Sequence, residues 1–212
     1  FDSVLTGDAS LRSRPMARIA NPLREMGADV ALTDGCAPIR LRGGRALRGM
    51  TYRLPIASAQ VKSCVLLAGL FAEGTTTVIE PTPSRDHTER MLGLDVEEID
   101  GVRHLRVEGG RRIPARTWHV PGDFSAAAFF LVAASIVPES EVRLEGVGMN
   151  PTRNALLGVL RRMGADIAVE NERMQGGEPI ADVTVRAAAL RGTAVEGAEI
   201  PNLIDEIPVL AV

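Results

Sequence analysis

Lysine and aromatic side chains are both scarce in this chain. Lys62 is the single lysine among 24 basic residues, and aromatic residues make up only 3% of the sequence. Proteins that hold single-stranded nucleic acid combine a basic groove with aromatic side chains on which the bases stack. Because the formal net charge is also −3, the composition argues against a nucleic-acid-binding protein.

Cysteine, histidine and long apolar runs are nearly missing as well. The two cysteines, Cys36 and Cys64, lie in different segments, which predicts a reduced, cytoplasmic protein rather than a disulfide framework. The 3 histidines are scattered and lack the spacing of a zinc site, so no metal is expected. No apolar run approaches the roughly 18 residues of a membrane span.

What the chain does contain is internal repetition. The motif Met-Gly-Ala-Asp-Val at 26–30 returns 137 residues later as Met-Gly-Ala-Asp-Ile at 163–167. A Ser-Ala pair that begins an apolar run at Ser58 recurs at Ser125, an offset of 67 residues. A repeat of this length exceeds the roughly 20 to 50 residues of solenoid repeats and indicates a small folded module.

Each module is predicted to contain a lead-in strand followed by helix, strand, helix, strand and strand. In the first complete module, Ser58 caps a helix whose apolar residues recur at helical spacing. The β-branched segment after it predicts a strand. The expected ranges in this module are a lead-in strand at 50–54, helices from 58 and at 86–92, and strands at 75–79, near 96 and at 102–107. In the next module they are helices at 124–136 and 152–163, and strands at 142–144, 167–169 and 183–185.

This order predicts an α/β fold of repeated βαβαββ units with buried helices and outer sheets. The helix at 124–136 is apolar nearly all round, as Phe129 and Phe130 show, so we expect it to be buried on most sides. A doubly wound parallel sheet is the alternative, but it requires strict alternation of strands and helices. Both ends of the sequence fall inside a unit, so we expect an internal piece of a longer protein, truncated at both ends.

Three predicted helix starts carry hydroxyl, amide or guanidinium side chains. Free backbone N–H groups and the positive end of the helix dipole make such starts natural anion sites, and the arginine fork matches phosphate or carboxylate. The ordinary role of each serine is an N-cap. The next module lacks the glutamine and arginine at equivalent places, which favours an anion site in this one. The three starts are Ser58-Ala59-Gln60, Ser84-Arg85, and Arg14 with Pro15 at the first helical position.

Asp205 stands at the place that Ser58 and Ser125 occupy in their modules, at or near a helix start. Its ordinary role is also a helix cap. Because Ile204 and Ile207 flank it, partial burial beside a ligand is the alternative. A carboxylate so placed can exchange a proton with a reacting hydroxyl.

Five stretches of the chain, taken in register, resemble one enzyme family. They are 5–16, 54–63, 84–89, 121–127 and 205–206. The sequence is similar there to the 5-enolpyruvylshikimate-3-phosphate synthases, or 3-phosphoshikimate 1-carboxyvinyltransferases. Ala59 and the Ser-Arg-Asp-His-Thr-Glu stretch at 84–89 resemble the bacterial branch called class II.

The resemblance implies a particular architecture. It implies two globular domains, each an inside-out α/β barrel of three βαβαββ units with the helices inward. Residues 1–119 would then belong to the first domain and 120–212 to the second. The site would assemble when these domains close.

The resemblance also implies a reaction. The enolpyruvyl group of phosphoenolpyruvate would move to the 5-hydroxyl of shikimate 3-phosphate, phosphate would leave, and neither a metal nor an organic cofactor would be needed. The enzyme would be a cytoplasmic monomer at full length. The implied roles are phosphate binding for Ser58, Ala59 and Ser84 with Arg85 nearby, contact with both substrates for Gln60, phosphoenolpyruvate binding for Arg14, and shikimate 3-phosphate binding and proton acceptance for Asp205.

Two other functions stay open. UDP-N-acetylglucosamine enolpyruvyl transferase shares the fold and the donor, and a non-catalytic repeat scaffold would need no chemistry. The family's N-terminal lysine-serine-arginine set and its C-terminal glutamate, lysine and arginines have no counterpart in this chain. We therefore expect the 212-residue chain alone to lack synthase activity.

Overall fold

Two compact units, Phe1–Ala115 and Arg116–Val212, make up the chain. The structure is a computed structural model, and it describes residues 1–197 and 199–212. The predicted division near 119 lies close to the observed one in the sequence. The assignment of the two parts to separate globular domains of a longer protein stays a prediction.

The first unit contains one partial repeat and one complete repeat. The partial repeat consists of β1 (Ser3–Leu5), α1 (Ala9–Arg12), α2 (Ala17–Glu25), β2 (Asp29–Thr33), β3 (Cys36–Arg42) and β4 (Leu47–Arg48). The complete repeat consists of β5 (Thr51–Arg53), α3 (Ala59–Gly69), β6 (Ala72–Glu73), β7 (Thr75–Glu80), α4 (His87–Leu92), β8 (Val96–Ile99) and β9 (Val102–Glu108).

The complete repeat has the predicted βαβαββ order. Four of its five strands form a sheet in the order β5-β7-β9-β8, and β6 pairs with β4. Strand β5 is parallel to β7 across helix α3, and β9 is antiparallel to both β7 and β8. The partial repeat forms a sheet of order β1-β3-β2. In both sheets the strand that comes last in the sequence pairs between its neighbours, so the repetition in sequence is also a repetition in topology.

Helix α3 and the sheet of the complete repeat enclose the core of the first unit. Val65 and Leu66 on the helix and Val78 and Leu105 on the strands are fully buried in one cluster. Burial of each such side chain contributes about 1.5–3 kcal/mol. This packing fixes helix α3, and with it the polar residues at its start, against strand β7.

The second unit repeats the arrangement with a shorter lead-in. It contains α5 (Phe124–Ile136), β10 (Glu141–Gly148), α6 (Ala155–Arg162), β11 (Asp166–Gln175), β12 (Glu178–Arg186), a short 3-10 helix (Ile200–Asn202) and α7 (Ile207–Leu210). The sheet order is β10-β12-β11. A single parallel bridge from Gly122 to Val147 stands where the first unit has strand β5.

One expectation for the second unit is wrong in detail and another is met only in part. The helix predicted at 152–163 begins only at Ala155, because the Asn150 side chain accepts the Thr152 backbone N–H and holds a turn there. The expectation that helix α5 is buried on most sides is met only in part. The sheet-facing residues of this helix, such as Leu131, are buried, whereas Phe129 and Phe130 are 62% and 57% exposed.

Membrane insertion of a helix finds no support in the described residues. No helix among them combines the length with the apolar character that crossing a bilayer requires.

Candidate functional site

The start of helix α3 carries three of the predicted site residues. The Ser58 hydroxyl accepts the Val61 backbone N–H at 3.4 Å, which makes Ser58 the N-cap as predicted. Ser58 is buried, Ala59 is half-buried and Gln60 is exposed. The first amides of any helix have no acceptor within the helix. This start therefore presents backbone donors beside the exposed Gln60 amide.

Ser84 and Arg85 lie in the turn between strand β7 and helix α4. The helix begins at His87 with Asp86 as its N-cap residue, so both predicted residues precede it, as expected. Ser84 donates twice to one oxygen of Glu80: its backbone N–H at 3.0 Å and its hydroxyl at 2.5 Å both reach Oε1. Arg85 is half-buried in the same turn.

A set of four charges, three of them buried, lies directly behind these two segments. Lys62 Nζ approaches Glu80 Oε1 at 2.8 Å and Glu89 Oε1 at 2.7 Å, and all three side chains are 3% exposed or less. Arg103 Nη1 contacts the other Glu80 oxygen at 2.8 Å. Two cations thus balance two carboxylates, the condition under which buried charge is tolerated. We name these four residues the charge cluster.

The charge cluster brings the start of helix α3 and the Ser84 turn together. Lys62 extends from the first turn of α3, where its backbone N–H donates to the Ser58 carbonyl at 3.0 Å. Its ammonium group meets the same Glu80 oxygen that holds Ser84. A second link between the segments is the 2.7 Å hydrogen bond between the Ser63 and Thr88 hydroxyls.

Arg14 lies apart from these contacts, in an exposed turn before helix α2. The prediction that Pro15 occupies the first helical position is wrong, since the helix begins at Ala17 with Met16 as its N-cap residue. The Met16 backbone N–H donates to the Gly35 carbonyl at 2.8 Å, so this residue is tied to the β2–β3 turn. Arg14 is thereby placed two residues before the cap.

Asp205 belongs to the second unit and is exposed, which does not fit the alternative of partial burial. The cap residue of helix α7 is Glu206, which is 3% exposed and whose carboxylate accepts the Ser125 hydroxyl. Leu203 is the other buried residue of this segment. The buried side of the turn therefore passes through positions 203 and 206, which turns position 205 outward.

Ser125 does not occupy the structural position of Ser58. Asp123 caps helix α5 by accepting the backbone N–H groups of Ser125 and Ala126 at 3.3 and 3.2 Å. Arg153 donates to the Ser125 hydroxyl and lies 3.3 Å from Asp123. The sequence did not assign this arginine to a site, because it lies three residues after Asn150, beyond the segment taken as equivalent to Ser84-Arg85.

The residues of the charge cluster were not predicted as site residues either: they are Lys62, Glu80, Glu89 and Arg103. One signal was available: Lys62 is the only lysine of the chain and the only charged residue of a helix that is mostly apolar. A charge at such a position requires a buried partner. Cys64, two residues further on, is not suited to nucleophilic chemistry, because burial raises the pKa of its thiol.

The chain resembles known proteins both in sequence and in structure. The family model described as EPSP synthase (3-phosphoshikimate 1-carboxyvinyltransferase) matches residues 1–212. The 3-phosphoshikimate 1-carboxyvinyltransferases of Salinibacter ruber and of a Synechococcus species are 65% and 57% identical, over 100% and 98% of this chain. These alignments cover 50% and 48% of the two relatives. The chain thus spans about half the length of the curated relatives it matches.

Solved structures give a consistent result. EPSP synthase from Acinetobacter baumannii is similar with a TM-score of 0.85 and 51% identity, over 99% of this chain and 49% of that one. The enolpyruvyl transferase NikO from Streptomyces tendae is similar with a TM-score of 0.59 and 20% identity, over 90% of this chain and 45% of that one. The second likeness concerns the fold alone.

Proposed function

Because the chain belongs to the EPSP synthase (3-phosphoshikimate 1-carboxyvinyltransferase) family, we propose that the protein containing it makes an enolpyruvyl ether. The enolpyruvyl group of phosphoenolpyruvate moves to the 5-hydroxyl of shikimate 3-phosphate, the hydroxyl proton is lost and phosphate leaves. The observation that carries this proposal is 65% identity to a 3-phosphoshikimate 1-carboxyvinyltransferase across the whole chain. The reaction belongs to the biosynthesis of aromatic amino acids.

The phosphate of shikimate 3-phosphate binds, in this proposal, between the start of helix α3 and the Ser84 turn. The helix start offers backbone donors at Ser58 and Ala59, and the turn offers the Ser84 hydroxyl and the Arg85 guanidinium. Hydrogen bonds from such groups to a phosphate are strong because the acceptor is charged. The charge cluster supports the proposal, since it holds the two segments next to each other.

Gln60 and Arg14 act on phosphoenolpyruvate. The exposed Gln60 side chain carries both an amide donor and an amide acceptor, so it can contact the hydroxyls of shikimate as well as the second substrate. Arg14 provides a planar pair of donors that suits the carboxylate or phosphate of phosphoenolpyruvate. Its exposure leaves the guanidinium accessible to a ligand.

Asp205 binds shikimate 3-phosphate and accepts the proton of the attacking hydroxyl. Its exposed carboxylate is accessible to a hydroxyl ligand. The neighbouring Glu206 is buried and held by Ser125, which fixes the backbone from which Asp205 extends. Proton transfer by a positioned carboxylate contributes typically about 10²–10⁴-fold to a rate.

The protein is further proposed to work as a cytoplasmic monomer without a metal or organic cofactor. Cys36 and Cys64 are both free thiols, as is usual in a reducing compartment. Light scattering from the full-length protein would show the monomer directly.

Phosphate release from phosphoenolpyruvate tests the proposed reaction. A protein of the relatives' full length that contains this chain is mixed with phosphoenolpyruvate and either shikimate 3-phosphate or UDP-N-acetylglucosamine. We expect phosphate release with shikimate 3-phosphate alone. Release with UDP-N-acetylglucosamine alone would assign the other enolpyruvyl transfer, and release with neither acceptor would leave the scaffold function.

A further inference from the structure

Glu80 attaches the Ser84 turn to the rest of the first unit. It is the last residue of strand β7 and is fully buried. We propose that Glu80 is a positioning residue, which holds Ser84 where its hydroxyl can bind the phosphate of the substrate. The inference rests on the proposed function and adds a residue to it.

The contacts of Glu80 leave neither carboxylate oxygen without a partner. Oε1 receives the backbone N–H and the hydroxyl of Ser84 and the ammonium of Lys62. Oε2 receives Arg103 at 2.8 Å. A carboxylate with its charge balanced and both oxygens occupied is held firmly, because any movement would cost several charge-assisted hydrogen bonds.

The position of Glu80 in the fold gives it a second role. Glu80 ends a strand that pairs with β5 on one side and β9 on the other, so its backbone is fixed by the sheet. Through Lys62 the same carboxylate is joined to the start of helix α3, where Ser58 and Gln60 lie. One side chain thus sets the distance between both halves of the proposed phosphate site, and sites require supporting residues of this kind.

The two hydrogen bonds from Ser84 have different consequences. A serine hydroxyl has one proton, so it can point either to Glu80 or to a phosphate oxygen. The backbone N–H bond at 3.0 Å does not depend on that choice. When the hydroxyl rotates toward an anion, the backbone bond keeps Ser84 in place, and the serine binds phosphate without moving the turn.

The experiment compares two ligands that differ only in the phosphate. Dissociation constants for shikimate 3-phosphate and for shikimate are measured by calorimetry on the full-length protein. Their ratio, the constant for shikimate divided by the constant for shikimate 3-phosphate, reports the phosphate contribution. Glu80→Asp keeps the charge of the cluster but withdraws the carboxylate by one methylene. We expect the ratio to fall by about tenfold, the loss expected of one charge-assisted hydrogen bond, with shikimate affinity unchanged. Glu80→Gln is the second variant and is expected to lower the ratio likewise.

Glu89→Asp is the matched control. This carboxylate is buried against the same Lys62 ammonium, but its described contacts are with Lys62 and Arg103 and do not include Ser84. The proposal predicts an unchanged ratio in this variant. A general loosening of the charge cluster would instead lower the ratio in Glu89→Asp as much as in Glu80→Asp, and that result overturns the proposal.

A double variant tests whether Glu80 acts through Ser84. In a Ser84→Ala background, Glu80→Asp should change the ratio by clearly less than tenfold, since the hydroxyl that Glu80 positions is gone and only its link to helix α3 through Lys62 remains. The full tenfold effect in that background, or an unaltered ratio in a folded Glu80→Asp protein, overturns the inference and leaves the proposed function intact. No preference of the unmutated protein for the phosphorylated ligand overturns both.

Discussion

Three charged side chains of the first unit, those of Lys62, Glu80 and Glu89, are buried together, and the partly exposed Arg103 completes their pairing. Lys62 is fully buried between Glu80 and Glu89. We predict that Lys62→Met, which keeps most of the side-chain volume, lowers the free energy of unfolding by about 3–5 kcal/mol because it leaves two buried carboxylates short of a cation. Urea unfolding of the 212-residue chain measures this.

The exposed ion pair between Arg106 and Glu97 is the control for that prediction. Both side chains are more than half exposed, so Arg106→Ala should cost less than about 1 kcal/mol. If Lys62→Met and Arg106→Ala lowered the free energy of unfolding equally, the buried charges would contribute no more to stability than an exposed ion pair.

Asp182 in the second unit is expected to make the stability of the fold depend on pH. Hydrogen bonds from the Asn171 side chain and the Gly146 backbone, followed by Arg143, lower the pKa of this carboxyl from 3.8 to about 2. A carboxyl with a lower pKa in the folded protein than in the unfolded chain stabilises the fold above its unfolded pKa. Its contribution is therefore complete above about pH 4 and is lost as the pH falls toward 2.

Unfolding of the Asp182→Asn variant measures this contribution. The variant should be less stable than the unmutated chain at pH 7. The difference should shrink between about pH 4 and pH 2, because only the unmutated protein has a carboxylate at position 182 that is protonated in this interval. A difference that stays constant over this interval would refute the assignment of the low pKa to Asp182.

Residues that cap helices were more predictable than residues that interact over long sequence distances. Ser58 could be identified as an N-cap because the signal is local. Glu80 and Arg103 could not be placed, since their pairing depends on which strands become neighbours. Asp205 was placed correctly before a helix, but its exposure depends on Leu203 and Glu206 packing inward.

At the scale of elements, replacing each of two helical glycines by alanine is expected to have opposite effects on stability. A Cβ on Gly69 in α3 would lie 2.7 Å from Val107 Cγ1 and 2.8 Å from the Thr76 side chain, whereas a Cβ on Gly158 in α6 would meet nothing within 4 Å. Gly69→Ala should therefore destabilise the chain by about 1–3 kcal/mol through overpacking. Gly158→Ala should stabilise it by about 0.5–1 kcal/mol through helix propensity.

Thermal and urea unfolding of the two glycine variants distinguish packing from propensity. Stabilisation by both substitutions would show that helix α3 does not lie as close to strands β7 and β9 as the structure indicates. The pair is well matched, since both positions are helical and neither has a positive φ.

Helices and strands were largely predictable because their signals are local. The bounds of α5 agree with the predicted 124–136, and the β-branched segment at 75–79 lies within β7. The burial of α5 was not predictable in the same way. Composition indicates that a helix can be buried, but which face is covered depends on where the sheet β10-β12-β11 packs, and Phe129 and Phe130 lie outside that contact.

At the scale of the whole molecule, the sequence repeat predicts the architecture, and the length of the chain relative to its relatives bears on its activity. Shared sheet topology across three repeats follows from the sequence repeat, and the chain spans about half of its relatives. We predict that the purified 212-residue chain releases no measurable phosphate from phosphoenolpyruvate and shikimate 3-phosphate. Turnover by this chain alone would show that the remaining half of the relatives is dispensable.

The most direct test of the account is the turnover of a full-length protein with Asp205→Ala or Gln60→Ala. Both side chains are exposed, so such changes usually alter stability by less than about 0.5 kcal/mol, and equal unfolding midpoints confirm an intact fold. We expect kcat to fall by about 10²–10⁴-fold for Asp205→Ala, the contribution of a general base, and a clear loss of kcat/KM for Gln60→Ala. Turnover within a few-fold of the unmutated protein in both variants would contradict the proposed site.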